Sequence, residues 1–249
     1  MRLTVSDLKT FYSEVRGRVV RNIIRTHIRA LWPDCEGLRM MGFGYASTYL
    51  KPYKDEAERM VAVMPRAMGV HYWPRGEKNL ACLSEENDLP FETNSIDRII
   101  VIHSLEVCDN IDETYAELWR VLKSTGRMIV IVPNRLGFWT RADWTPFGHG
   151  TPYSATQVRR LLTDHQFVHE RTRKILYVPP FRSQLFIRSA QFFEAMGQYI
   201  CSALCGLHMI EVSKQIYAEK GQGLKQKAKI PIPKILPEPA VNRNKMTKE

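Results

Sequence analysis

Residues 82 to 134 carry the pattern that most restricts how this chain can fold. Cys82-Leu83 leads into an acidic turn, Glu85-Glu86-Asn87-Asp88, and then Leu89-Pro90-Phe91. Asp97-Arg98 opens a short apolar run, Ile99 to Ile102. A helical stretch follows and ends in Arg120-Val121-Leu122-Lys123, with a Gly126 turn and another apolar run, Arg127 to Val132. Apolar runs this short suit strands buried on both faces better than helices. Strand, helix, strand in this order implies a mostly parallel sheet with helices on both sides.

The flanking segments extend the alternation. Ser6 is a plausible N-cap for one long helix to about Leu31. Leu8, Phe11, Tyr12, Val15, Val19, Ile23, His27 and Ala30 recur along it at helical spacing. Arg16, Arg18, Arg21, Arg25 and Arg29 share that helix and suggest a solvated face or a phosphate contact. Trp32-Pro33 ends it. Leu38 to Met41 reads as a strand. A helix from about Ser47 is interrupted by Pro52, and Arg59 to Met64 is the next strand, so these three make a βαβ unit. Asn79 to Leu83 is a third strand. After Asn134 the chain turns rich in Trp, Pro, Gly and His up to Tyr153. Ser154 then caps a helix over Ala155 to Asp164, strands run from Phe167 to about Val178, and Phe181 to Ala218 reads as helix.

The net charge is +10, and it is unevenly placed. Residues 220 to 249 hold eight Lys or Arg against Glu238 and Glu249. A local excess bears on the tail's partner, which is expected to be anionic: RNA, an acidic protein or a membrane surface. Pro231, Pro233, Pro237 and Pro239 make disorder the expectation there. The division expected is an N-terminal helix (1–35), a main domain with a C-terminal helical region (36–218) and a basic tail (219–249). The five cysteines form no CxxC pair, and Met1-Arg2 leads into charged, polar sequence, so a cytoplasmic location is expected. Cys201, Cys205 and His208 lack a fourth soft ligand, so no metal site is expected. Ala195 to Ile210 is short for a span and contains Gln198 and His208, so no integral membrane segment is expected.

Met41-Gly42-Phe43-Gly44-Tyr45-Ala46 lies between the first strand and the next helix, where glycine permits a tight turn and close approach of a ligand. Together with the LPF turn and the Arg120-to-Arg127 segment, it resembles the class I S-adenosylmethionine (SAM) dependent methyltransferases. The nearest subgroup is the type-11 group, which includes quinone-biosynthesis methyltransferases. The resemblance covers residues 36 to about 165. It implies an α/β, Rossmann-like, doubly wound and mostly parallel seven-stranded sheet, here with an N-terminal helix and a helical C-terminal extension.

The resemblance also implies a site. Gly42, Phe43 and Gly44 would underlie the methionine part of SAM, and a side chain at Gly44 would intrude on the cofactor. Glu85 would accept from the adenine amine, and Glu86 would face the ring with its backbone amide. His103 would lie against the methionine part or the acceptor. Three departures stand out: Ala46 replaces the third glycine, Ser124-Thr125 replaces Pro-Gly, and no acid ends strand two. That strand closes on Val63-Met64-Pro65-Arg66, where Met64 is the candidate to pack on adenine. His149 and Tyr153, in the run Pro146 to Ser154, are the acceptor-side candidates for catalysis, with His103. Asp143, Trp139, Trp144 and Phe147 lie in the same segment, as an aromatic wall or as packing of a lid. The leading expectation is methyl transfer to a small, hydrophobic or aromatic acceptor. The alternatives are an RNA methyltransferase using the tail, and a non-catalytic scaffold on the same fold.

Overall fold

The structure is a computed structural model that describes residues 3–180, 193–197 and 202–214. Its elements are α1 (Val5–Ser13), α2 (Val15–Leu31), β1 (Arg39–Gly44), α3 (Ser47–Leu50), β2 (Arg59–Pro65), β3 (Ala81–Ser84) and β4 (Ile96–Ile102). They continue with α4 (Ile111–Val121), β5 (Leu122–Pro133), α5 (Ala155–Asp164), β6 (Phe167–Ile175) and β7 (Leu207–Lys214). The strands form one seven-stranded sheet in the order β3-β2-β1-β4-β5-β7-β6. The pairs from β3 to β5 are parallel. β7 runs antiparallel to both of its neighbours, β5 and β6.

Alternation along each strand divides the core into two layers. Met40, Ile100, Ile102, Ile129 and Ile131 point to the side covered by α1, α2 and α3. Met41, Phe43, Ile99, Val101, Met128 and Val130 point to the side covered by α4 and α5. Each fully buried side chain of this size contributes about 1.5–3 kcal/mol.

The signature segments touch one another. Arg120, at the end of α4, donates to the carbonyls of Leu89 (3.0 Å) and Phe91 (2.8 Å) and pairs with Glu117 at 2.7 Å. Asp97 accepts from Lys123 Nζ at 2.7 Å and from the Arg39 N–H at 3.0 Å, tying the starts of β1, β4 and β5 together. Gly126 lies inside the long strand β5 instead of making a turn.

Two expectations change. The N-terminal helix is broken into α1 and α2, with Glu14 extended (φ −70°, ψ 160°) between them. Thr4, not Ser6, caps the first helix, in a reciprocal box with Asp7. Gly17 permits the tight return, since a Cβ there would lie 2.0 Å from the Phe11 carbonyl oxygen. The second change is at the C-terminal side. Residues 207–214, expected to be helical, are strand β7. Every position but Ser213 is buried, so the segment has no period of two to distinguish it from a buried helix. The rest of the expected helical extension, apart from 193–197 and 202–206, lies outside the described residues, as does the basic tail. Among the described residues no helix is long and apolar enough to cross a membrane.

The arginines of α2 are largely engaged by the fold. Arg25 Nε donates to the Thr48 carbonyl at 2.9 Å. Arg29 pairs with Glu56 and lies 4.2 Å over the Tyr53 ring. Arg16 lies 4.3 Å over the Trp144 ring.

β7 carries His208, which is 5% exposed and whose pKa is lowered to about 4 by burial and then by Lys174. The folded-state value lies below the ordinary one, so on acidification the unfolded chain takes up this proton first. Stability from this group is complete above about pH 6.5 and is lost as pH falls toward 4, by up to about 3 kcal/mol. Urea denaturation of the wild type should show a steeper loss across that window than His208→Asn does. Parallel curves for the two proteins would refute this.

Candidate functional site

The strand order reverses between β1 and β4, and the loops after those strands diverge at the carboxyl edge of the sheet. Sheets of this kind place ligands at that switch point. Gly42 lets α3 close on β1, since a Cβ there would meet Ala46 Cβ at 2.7 Å and Leu50 Cδ1 at 2.9 Å. Gly44 has φ +83°, and a Cβ would lie 2.2 Å from the Ile102 carbonyl oxygen. That same oxygen accepts from the Tyr45 N–H at 3.1 Å. A side chain at Gly44 therefore strikes β4 itself, which corrects the expectation that it would intrude only on a cofactor.

His103 follows β4 in the left-handed region, φ +55°, which is uncommon for a residue with a Cβ. Only 1% of it is exposed. Tyr49 donates its hydroxyl proton to Tyr12 Oη (2.8 Å), leaving Tyr12 to donate to His103 Nε2 (2.7 Å). That arrangement puts the ring proton on Nδ1, which faces Glu106 Oε1 at 3.5 Å. His103 Nδ1, Ser104 Oγ and Glu106 Oε2 are buried without hydrogen-bond partners. Burial, and then the neighbouring Tyr49, push the Tyr12 phenol well above its ordinary pKa, so it stays protonated.

Aromatic rings close over this cluster. Tyr12 stacks on Tyr45 at 5.6 Å with planes 6° apart, and Phe147 sits 4.8 Å from the His103 ring. Phe11 reaches Phe147 at 6.2 Å, so α1 spans from the loop after β1 to the loop after β5. Thr151 N–H donates to the Glu106 carbonyl at 2.7 Å, strapping the later loop to the loop after β4.

Beside this cluster, at the ends of β2 and β3, lies a cleft of about 410 Å³. Arg66, Glu85, Glu86, Asn87, Asp109 and Asn110 are among the residues that line it. Glu85 pairs with Arg66 at 2.7 Å, and both side chains are more than half exposed. Cys108 Sγ donates to Glu86 Oε2 at 2.9 Å. Burial, and then that hydrogen bond, push the Cys108 thiol up to about 12.

The residues expected at a cofactor site thus divide. Glu85 and Glu86 line the open cleft. Gly42 and Gly44 serve close backbone packing, and His103 lies beneath α1. Phe43 and Met64 are fully buried on opposite faces of the sheet, Phe43 toward α4 and Met64 in the cluster with Tyr45 and Met68. Tyr153 bridges to Asn134, and its phenol pKa is raised by burial and then by Glu106. The His149 imidazole makes no hydrogen bond among the described residues; the residue ends the 3-10 turn Pro146–Gly148. Trp139 and Phe147 are packed inside, whereas Trp144 is 40% exposed. Spacing gave no sign of Tyr12, Tyr49, Glu106 or Asp109 as site residues.

Comparison with known proteins agrees with this architecture. The sequence model of the methyltransferase domain family matches residues 41–130. The sheet has the fold of the class I, SAM-dependent methyltransferases, and residues 41–130 are similar to that family's methyltransferase domain. Among solved structures, a chain from the complex between the Haloferax volcanii Trm112 methyltransferase activator and a methyltransferase is similar at 16% identity and a TM-score of 0.57, covering 84% of this chain and 97% of that one. A SAM-dependent methyltransferase from Thermotoga maritima matches at 16% identity and a TM-score of 0.57, covering 85% and 96%. One from Archaeoglobus fulgidus matches at 15% identity and a TM-score of 0.56, covering 78% and 94%. No curated protein matches the sequence.

Two substitutions test the local physics of this domain. Gly44→Ala should destabilise the fold by about 2 kcal/mol or more, because strain at positive φ adds to the clash with β4. A melting temperature equal to that of the wild type would contradict the packing role. Tyr12→Phe leaves both Tyr49 Oη and His103 Nε2 unpaired and should cost about 1–3 kcal/mol in denaturant unfolding. No loss of stability would show that water replaces the hydroxyl.

Proposed function

We propose that the protein transfers a methyl group from SAM to a small acceptor with an apolar or aromatic portion. The observation that supports this reading best is the buried cluster of His103, Ser104 and Glu106, with its unfilled hydrogen-bonding capacity, at the switch point of a methyltransferase domain. SAM, when bound, supplies an electrophilic methyl group. The chain has to bind and orient both partners, exclude water and accept a proton where the acceptor loses one.

The residues present suit the cofactor's chemistry. Adenine N6 is a hydrogen-bond donor, and Glu85 and Glu86 offer carboxylates in the cleft. Glu85 would exchange its exposed ion pair with Arg66 for the amine, at small cost because surface pairs contribute only about 0–1 kcal/mol. The ribose hydroxyls lack the acid that usually ends the second strand, and Glu86 and Asp109 stand in the same cleft as replacement acceptors. Met64 remains a core residue in this reading. The methionine part would lie toward Gly44, Tyr45 and His103, beneath α1. His103 Nε2 already accepts from the Tyr12 hydroxyl, so a proton lost by the acceptor would reach it by relay through Tyr12, with Glu106 Oε1 3.5 Å from Nδ1. Tyr153 and His149 remain proposed acceptor-side groups.

Engagement of Arg16, Arg25 and Arg29 within the fold weakens the case for an RNA acceptor held along α2. Incubation with methyl-labelled SAM and a cell extract, followed by separation of small molecules, RNA and protein, tests the reading. Label in the small-molecule fraction is the expected result. Label in RNA would transfer the assignment to an RNA methyltransferase, and no label in any fraction would favour a scaffold. Glu85→Ala should weaken SAM binding about tenfold while leaving thermal stability within about 0.5 kcal/mol of the wild type. Unchanged SAM affinity would remove Glu85 from the site.

A further inference from the structure

A second, larger cavity of about 720 Å³ opens at the far edge of the same sheet. It is lined by His27 of α2, Thr156 and Arg159 of α5, and Thr172, Arg173 and Lys174 at the end of β6. From its lining and its place in the fold, we infer that this cavity binds an anionic, phosphate-bearing end of the methyl acceptor. The inference rests on the methyltransferase reading and adds a substrate class to it.

Three observations carry it. First, two arginines of the lining, Arg159 and Arg173, are not neutralised by an acid among the described residues. Arg29, Arg39, Arg66 and Arg120 each pair with a carboxylate. Arg159 and Arg173 have no carboxylate partner among the described residues, although they line one cavity. Glu194, which pairs with His27 of the lining, is occupied: it accepts from the Leu176 and Tyr177 N–H groups at 2.8 Å each and lies 3.5 Å from His27 Nε2. Guanidinium groups with hydroxyls such as those of Thr156 and Thr172 match phosphate oxygens, which accept several charge-assisted bonds at once.

Second, the cavity faces the right way. β6 and β5 both run antiparallel to β7 and are therefore parallel to each other. The carboxyl end of β6, with Arg173 and Lys174, thus lies on the same edge of the sheet as His103. α5 begins beside Tyr153, which bridges to Asn134 just past β5.

Third, the spacing selects the ligand's shape. In the order β4-β5-β7-β6 the cavity is three strands from β4. Strands lie about 4.8 Å apart, so the anionic end would sit roughly 14 Å from the His103 end of the site. An extended acceptor meets that requirement, with its reacting apolar portion under α1 and its phosphate at the cavity. A compact single ring does not reach.

The test is calorimetric titration of the full chain with inorganic pyrophosphate at low salt, beside a SAM titration of the same samples. The wild type should bind one pyrophosphate saturably. Arg159→Gln with Arg173→Gln should weaken that binding at least tenfold, while SAM affinity stays within about twofold. No saturable binding by the wild type, or equal binding by the double variant, would overturn the inference. Pyrophosphate binding in a protein that binds no SAM would also overturn the acceptor role, and it would separately count against the methyltransferase reading. A single-stranded RNA 12-mer that binds a hundredfold more tightly than pyrophosphate, and is lost in the same double variant, would replace the small acceptor with nucleic acid.

Discussion

The close approach of β1 to β4 at Gly44 is the constraint on which the site depends. The Ile102 carbonyl accepts the Tyr45 N–H, and there is no room between the strands for a side chain at position 44. That contact joins the two halves of the doubly wound sheet and brings the loops after β1 and β4 together. Phe43, Ile99 and Val101 can then share one apolar layer while Met40, Ile100 and Ile102 share the other. The glycine is needed for the fold before it is needed for any ligand.

Above that junction the protein carries a costly arrangement. His103 is held at positive φ, and three polar atoms around it are buried without partners. Each unpaired buried group costs about 1–3 kcal/mol, so the surroundings must over-determine the geometry. The chain Tyr49–Tyr12–His103 and the rings of Tyr45 and Phe147 do so. Glu211 is a useful contrast. It too is buried with one oxygen, Oε2, lacking a hydrogen bond, but Oε1 accepts from the Trp32 indole at 2.9 Å and lies 3.3 Å from Arg127, and Oε2 lies 3.6 Å from Arg171, so this carboxylate is charge-paired on both oxygens. The polar cluster at the switch point has no comparable compensation within the fold, which is why it is the place to look for ligand chemistry.

Much of the fold was legible because local and global signals agreed. β1, β2, β4 and the Met128-to-Val132 part of β5 are short apolar runs bounded by charged or turn residues, and α5 begins at a capping box of Ser154 and Gln157. The LPF turn and the Arg120 segment are specific because they bond to each other across the fold. β7 was not legible: it is buried on both faces, and Glu211 within it is balanced by Trp32, far away in sequence. Tyr12 was hidden for a related reason. On α1 it looks like one more apolar position, and its meaning comes from His103, 91 residues later. Gly42 and Gly44 marked the loop, but which atoms a Cβ would meet depends on β4 and α3.

The central claim is that this domain holds SAM despite lacking an acid at the end of β2. Isothermal titration of the purified full-length chain with SAM, and with S-adenosylhomocysteine, tests it most directly. The account predicts one site with micromolar affinity for both. Absence of binding up to about millimolar cofactor, a free energy no better than about −4 kcal/mol, would contradict it.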